Sequence, residues 1–329
     1  MNNLRPVGII GTGKYVPEKI LTNSDLEKMV DTNDEWIVSR TGIKERHIAA
    51  PDQATSDLAY EAALKALESA GMTGSDLDLI IVATITPDSS FPSTACILQD
   101  KLGAKGAAAF DLSAACSGFV YGLATATSFI KSGMYNNALV IGADCLSRIT
   151  DYTDRNTCVL FGDGAGAVVV GEVPEGRGFK AFDLGAEGAG GSLLNIEGGG
   201  SRLPASAETI ENKKHYIYMN GREVFKFAVR VMGTATIEVL RKAGMDRTDV
   251  DLFVPHQANV RIIQSAMQRL ELPEEKVVVN VDKYANTSAA SIPLALVEAA
   301  EEGRMKAGDT VLMVGFGGGL TWGASVLVW

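Results

Sequence analysis

The chain is predicted to be an α/β protein made of two similar halves, on three observations. Apolar runs of strand length alternate with longer helical patterns throughout, as βαβ units require. One helix–turn–strand unit recurs in the second half at fixed spacing, and each half closes with a glycine-rich turn and a strand.

The first strand is Val7-Gly8-Ile9-Ile10, entered directly from Met1-Asn2-Asn3-Leu4-Arg5-Pro6. No apolar signal core precedes it and no later apolar run is long enough to span a bilayer, so a cytoplasmic location with no membrane partner is expected. A helix over Asp57 to Ala70, opened by Thr55 and Ser56 and closed by Gly71, leads to the strand Asp78-Leu79-Ile80-Ile81. Its likeness follows in the second half: a helix over Val224 to Ala243, closed by Gly244, leads to Asp251-Leu252-Phe253-Val254. A helix starting at Cys116 ends at Gly133 before Ala138 to Ile141, and one starting near Asn286 ends at Gly303 before Val311 to Val314. The interval from Cys116 to Asn286 equals that from Gly133 to Gly303, which predicts equivalent positions for Cys116 and Asn286. The closing strands are Gly164 to Gly171 and Gly323 to Trp329, so the halves are expected to be residues 1–172 and 173–329.

With 329 residues, 46% of them hydrophobic, the chain can bury a large core, and 21% charged residues without biased tracts argue against disorder. A formal charge of −10 argues against a general affinity for nucleic acid, and an acidic protein partner would need a local basic patch. The four cysteines, Cys96, Cys116, Cys145 and Cys158, form no Cys-x-x-Cys pair, so neither a metal site nor a disulfide framework is expected.

Cys116 stands out among them. It lies in Ser113-Ala114-Ala115-Cys116-Ser117-Gly118, where a strand over Ala107 to Phe110 gives way to a helix and every neighbour is small. A helix N-terminus favours thiolate, and at such positions cysteine pKa values fall from about 8.5 to roughly 3.5–7.5. The other three thiols lack that setting and read as structural. Of three histidines, His47 and His215 sit among charged neighbours, whereas His256 follows a buried-type strand that Pro255 ends, presenting its imidazole at a sheet edge. Asn286, in Asn286-Thr287-Ser288-Ala289-Ala290-Ser291, reads as an N-cap or, through the repeat, as a partner of Cys116. The run Gly315-Phe316-Gly317-Gly318-Gly319 reads as a tight turn or as backbone N–H groups aimed into an oxyanion site. The glycine-rich segment from Gly185 to Gly200 is expected to be a mobile loop.

Six segments in order resemble the β-ketoacyl-acyl-carrier-protein synthase III family of the thiolase superfamily. They are Thr32 to Ile37 continuing through Arg40-Thr41-Gly42-Ile43, Ala114 to Gly118, Phe161 to Gly166, Pro255 to Asn259, Asn286 to Ser291, and Phe316 to Gly319. The resemblance implies a thiolase-like duplicated fold, two βαβ halves in an αβαβα layering. It implies that Cys116 takes an acyl group from acyl-CoA and that His256 and Asn286 stabilise the enolate formed when malonyl-acyl carrier protein loses carbon dioxide. The N–H groups of Cys116 and Gly318 would form the oxyanion hole. It further implies no metal or other cofactor, CoA thioester being a substrate. A CoA entrance is implied at Trp36, Arg40 and Arg155, and acyl-pocket walls at Phe161 and Met219. In a homodimer, Phe91 would reach the partner subunit's pocket. Carrier protein would dock near Gln257, Ala258, Asn259, Val260 and Arg261, with Lys226, Arg230 and Arg269 as basic side chains nearby.

A papain-like protease also orders Cys, His and Asn along its chain, but its local cysteine signature is missing and the duplication does not suit it. The nearer alternative is a polyketide starter enzyme or another condensing enzyme of the same superfamily with a different primer.

Overall fold

A computed structural model describes residues 5–329; Met1 to Leu4, read above as the lead into the first strand, lie outside the described residues. One sheet holds β1 (Val7–Tyr15), β2 (Leu79–Ala83), β3 (Ala108–Leu112), β4 (Ala138–Cys145) and β5 (Asp163–Glu172), in the order β1-β5-β4-β2-β3. The other holds β6 (Gly178–Ala186), β7 (Leu252–Pro255), β8 (Thr310–Gly317) and β9 (Thr321–Val328), in the order β6-β9-β8-β7. Directions repeat with the order. The pairs β1/β5 and β5/β4 are antiparallel and β4/β2 is parallel; β6/β9 and β9/β8 are antiparallel and β8/β7 is parallel. Where the first sheet has β3, the second has a single parallel bridge, Phe253 to Val277.

Seven helices matter to the site: α1 (Asp34–Thr41), α2 (Thr55–Ala70), α3 (Thr94–Lys101), α4 (Gly118–Lys131), α5 (Gly221–Ala243), α6 (Val260–Leu270) and α7 (Ser291–Glu301). Strand residues alternate between two packing partners. Ile81 and Val140 face inward with Val254 and Met313 of the other sheet, onto Phe119 and Leu123 of α4 and Ile292 and Leu296 of α7. Ile80, Val82, Leu139 and Ile141 face outward onto Leu58, Ala62 and Ala66 of α2. On the far side Phe253, Leu312 and Val314 meet Phe227 and Val231 of α5 and Ile263 of α6. The result is five layers, αβαβα. Both sheets are covered on both faces, which is why their central strands are apolar runs rather than alternating ones. The mid-layer helices are likewise buried around most of their circumference, as the apolar sequence of α7 requires.

The repeat holds at a different register from the one predicted. The interval from Gly71 to Gly244 is longer than that from Gly133 to Gly303, and the longer interval also separates Ala83, the last residue of β2, from His256, the residue after β7. It relates the starts of α4 and α7, Gly118 and Ser291, and the left-handed residues Ala115 (φ 47°) and Ser288 (φ 51°) just before them. Cys116 therefore corresponds to Ala289, not to Asn286. The shorter interval between Gly133 and Gly303 arises because α7, at 11 residues, ends a turn earlier than α4, at 14 residues.

Each turn rests on a glycine of the opposite sheet. A Cβ on Gly142 of β4 would stand 2.1 Å from the Ala289 carbonyl oxygen, and one on Gly315 of β8 would stand 3.1 Å from that of Cys116. Gly142 and Gly315 are themselves equivalent in the repeat. Cys116 sits in a 3₁₀ turn, Ala115–Ser117, and the α-helix begins only at Gly118. The segment from Gly185 to Gly200, expected as a mobile loop, forms a 3₁₀ turn (Gly188–Leu193) and a short strand (Leu194–Asn195) paired with Tyr218–Met219. Two of its glycines serve close packing: a Cβ on Gly185 would overlap the Trp322 side chain and one on Gly190 that of Leu320.

Gly142→Ala should therefore lower stability by about 1–3 kcal/mol or more in chemical denaturation, because the added methyl meets backbone that cannot swing aside. An unchanged denaturation midpoint would contradict the close approach.

Candidate active site

Cys116 is 8% exposed and lies where two cavities meet. The first, about 550 Å³, runs to the surface past Phe161, Met219, Phe225 and Phe316. The second, about 430 Å³, is walled by Ile85, Leu146, Phe161, Ile196 and Ile217 and by the backbone of Ala114, Gly318 and Gly319. Cys116, Phe161 and Leu194 line both. The cysteine is thus reached from a wide channel on one side and faces an apolar chamber on the other.

His256 and Asn286 line the first cavity with it. His256 directly follows β7; its N–H donates to the Val314 carbonyl at 2.8 Å and its ring lies edge-on to Phe316, centroids 5.2 Å apart. Its Nδ1 contacts the Ser291 Oγ at 2.5 Å, and that oxygen also receives the Gln257 N–H at 3.4 Å. The Ser291 O–H can donate to Nδ1, and the tautomer that accepts it carries the imidazole proton on Nε2. Burial drives the pKa of His256 down to about 3, so the ring is neutral at physiological pH. Asn286 is held from both sides by strand-like bonds, its N–H donating to the Leu160 carbonyl at 2.9 Å and its carbonyl accepting from the Gly162 N–H at 3.0 Å. Its Oδ1 accepts the Ser288 N–H at 2.9 Å, so the amide NH₂ is the end left free. Cysteine, imidazole and carboxamide come together as neutral groups, with two N–H donors available to an oxygen in the cavity.

The expected low pKa of Cys116 is not found. Burial pushes the thiol up to about 12, with the Ser288 hydroxyl opposing and the charge of buried Asp144 adding to the rise. Desolvation of a thiolate behind 8% exposure outweighs a helix N-terminus that starts two residues later. Cys145 is also pushed to about 12 and Cys158 to about 11, by burial first in each case. Acidity does not distinguish Cys116; its position between the cavities does. Cys96 is exposed. His47 and His215 are partly buried rather than solvated, engaging the Pro17 carbonyl at 2.5 Å and the Thr209 hydroxyl at 2.9 Å.

The mouth of the channel is cationic. Trp36, Arg40, Arg222, Lys226 and Arg261 line it, with Ala258 and Asn259. Asn259 donates to the Arg40 carbonyl at 3.0 Å, fixing α1 to the loop after β7. Arg155 is not in the wall but stacks on the Trp36 ring, 4.9 Å from its centroid, so a base stacking on that ring face would have to displace it. Lys226 pairs with Glu223 at 2.7 Å and Arg230 with Glu187 at 2.7 Å, while Arg261 lies 5.3 Å over Phe225. Gln257 does not present a docking side chain: it is 1% exposed, and its amide donates to the Pro255 and Val278 carbonyls and accepts the Asn280 N–H. Val260 packs on Gly42, and Arg269 lies across Gly233, outside both cavities. Phe91, 86% exposed, lines neither. Arg222, Asp144, Ser288 and Ser291 were missed; the serines stood in a quoted motif, but nothing along the chain links Asp144 to it.

Two sheets around a pair of mid-layer helices, with a cysteine at the head of one, define a thiolase-like acyl-transferring condensing enzyme. Family models for 3-oxoacyl-[acyl-carrier-protein] synthase III match residues 110–188, and for its C-terminal part residues 240–329. A beta-ketoacyl-[acyl-carrier-protein] synthase III of Desulfitobacterium hafniense is 63% identical over 98% of both chains. One of Caldanaerobacter subterraneus subsp. tengcongensis is 62% identical over 98% of this chain and 97% of its own. The crystal structure of the Aquifex aeolicus synthase III superposes with a TM-score of 0.91 at 54% identity, covering 98% of this chain and all of the other. The priming β-ketosynthase of the R1128 polyketide pathway superposes at 0.92 with 34% identity, covering 100% of this chain and 97% of its own. The chain belongs to the β-ketoacyl-[acyl-carrier-protein] synthase III family.

A thiol whose pKa is near 12 reacts only through its small thiolate fraction. The rate of Cys116 alkylation by iodoacetamide, mapped by mass spectrometry in a Cys96→Ser background, should rise about tenfold per pH unit between roughly pH 7 and 10. A plateau beginning below about pH 8 would show instead that the helix N-terminus prevails.

Proposed function

We propose that this chain catalyses the condensation that initiates fatty-acid synthesis, joining an acyl-CoA primer to malonyl-acyl carrier protein. The observation that carries the reading is the placement of Cys116 between a wide channel with a cationic mouth and an apolar chamber. Arg40, Arg222 and Arg261 suit the phosphates of CoA, with Trp36 offering a plane for its base. The chamber suits a short acyl chain, and its apolar walls, Ile85, Leu146, Ile196 and Ile217, bear on primer size. Synthase III relatives stand at 63% and 54% identity and the polyketide enzyme at 34%, which favours the fatty-acid reading over its alternative.

In the first half-reaction the Cys116 sulfur attacks the acyl-CoA carbonyl, the tetrahedral oxyanion is held by the N–H groups of Cys116 and Gly318, and the thiol proton leaves on CoA. One such donor contributes about 2.7–4 kcal/mol to transition-state stability. In the second, malonyl thioester enters with its carbonyl against His256 Nε2–H and the Asn286 amide. Loss of carbon dioxide leaves an enolate on that oxygen; its carbon attacks the acyl-cysteine and the thiolate leaves and is reprotonated. Neutral donors suit this step. A neutral imidazole gives up no proton to the enolate, so the nucleophile persists until it attacks. No electron is gained or lost overall.

The channel mouth is also where carrier protein would dock. Arg222 and Arg261 flank it without a carboxylate partner among the described ion pairs, unlike Lys226. The exposed Phe91 supports a homodimer in which it is covered by a second copy.

His256→Ala and Asn286→Ala should still take up a labelled acyl group from acyl-CoA, but lose decarboxylation of malonyl-acyl carrier protein by about a hundredfold or more. Normal decarboxylation in both variants would remove the assigned roles.

A further inference from the structure

The turn carrying Cys116 and the turn carrying Ala289 face the same strand position in opposite sheets, but different residues stand there. Facing Ala289 is Asp144 on β4; the equivalent position on β8, beside Cys116, holds Gly317. A Cβ on Gly317 would stand 2.5 Å from the Cys116 nitrogen, so no side chain fits in that position. Among the described residues no backbone carbonyl outside regular secondary structure accepts the Cys116 N–H, whereas the Ala289 N–H donates to Asp144 Oδ2 at 3.3 Å.

Asp144 is wholly buried and surrounded by donors. Its Oδ1 accepts the Ile85 N–H at 2.8 Å, the Thr84 hydroxyl at 2.9 Å, and the hydroxyl and N–H of Thr86 at 3.0 and 3.2 Å. Burial raises the Asp144 pKa and the surrounding donors oppose the rise, the Ser288 hydroxyl among them; that hydroxyl likewise opposes the rise at the Cys116 thiol, though it completes a well-formed hydrogen bond with neither group. Every partner in hydrogen-bond geometry donates, which is the environment an ionised carboxylate requires when it is out of water.

We propose that the Asp144 carboxylate permanently fills, at the second turn, the anion cradle whose counterpart beside Cys116 stays open for a substrate oxyanion, and that its grip on Ala289 positions Asn286. The connection is short. Asp144 holds the Ala289 N–H, the adjacent Ser288 N–H holds Asn286 Oδ1 at 2.9 Å, and that bond decides which end of the amide enters the cavity. One fold element thus serves twice: occupied by a built-in anion it is a structural anchor, and vacated by a glycine it is a site for the reaction's own anion. Asp144 is a positioning residue, since no reacting atom touches it.

The inference rests on the donor role of Asn286 proposed above, and the experiment separates the two. In Asp144→Asn, the carboxamide oxygen is taken by the four donors at Oδ1, so its NH₂ faces the Ala289 N–H and pushes the turn away. Acyl uptake from acyl-CoA should stay within about threefold of wild type, while decarboxylation of malonyl-acyl carrier protein falls about a hundredfold, the size expected for a misplacement of about 1 Å. Asp144→Asn combined with Asn286→Ala should lose no more than Asn286→Ala alone. Should Asp144→Asn fail to fold, Thr84→Val, which removes one donor from Oδ1 and leaves the turn untouched, should show the same selective loss at about tenfold. Wild-type decarboxylation in the folded Asp144 or Thr84 variant, an equal loss of both half-reactions, or additive losses in the double variant would each overturn the proposal. Normal decarboxylation in Asn286→Ala alone would overturn the role of Asn286 instead.

Discussion

The close approach of each N-terminal turn to a glycine of the opposite sheet is the constraint from which the site follows. Gly142 admits the Ala289 carbonyl and Gly315 admits that of Cys116, so two helices begin side by side in the middle layer with their first turns touching both sheets. The reacting groups need no long loops to meet. Cys116 heads one helix, Asn286 precedes the other, and His256 follows the end of the strand beside them. All three are fixed by backbone hydrogen bonds or by burial within rigid elements, which is what precise positioning requires.

Burial then sets the chemistry. It raises the thiol and depresses the imidazole, so the resting site carries no ion pair. Such a site gives up a preformed thiolate, and in exchange offers the developing oxyanion and enolate donors that need no proton transfer to become effective. The Asp144 carboxylate near Cys116 is engaged by donors from Thr84, Ile85, Thr86 and Ala289, and its charge bears on the thiol without facing the channel.

Much of this was legible along the chain. Strand and helix alternation gave the fold class, and the Ala-Gly-Met repeats after α2 and α5 carried the true interval between the halves. The misregister of Cys116 with Asn286 came from matching helix ends, where α7 stops a turn short, instead of helix starts. The thiol's acidity was misjudged because a helix N-terminus is visible in sequence and desolvation is not. The family resemblance put Gln257 near a docking surface, although its side chain closes three backbone bonds in the interior. Asp144 was invisible for a similar reason. It lies 145 residues from Ala289, in a strand whose other members are apolar or small.

The central claim is that Cys116 carries the acyl group between the two cavities. Incubation with radiolabelled acyl-CoA, followed by proteolysis and peptide mapping, tests it most directly. One label per chain on the peptide containing Cys116, absent in Cys116→Ala, is the predicted result; label on another cysteine, or uptake undiminished in Cys116→Ala, would contradict it.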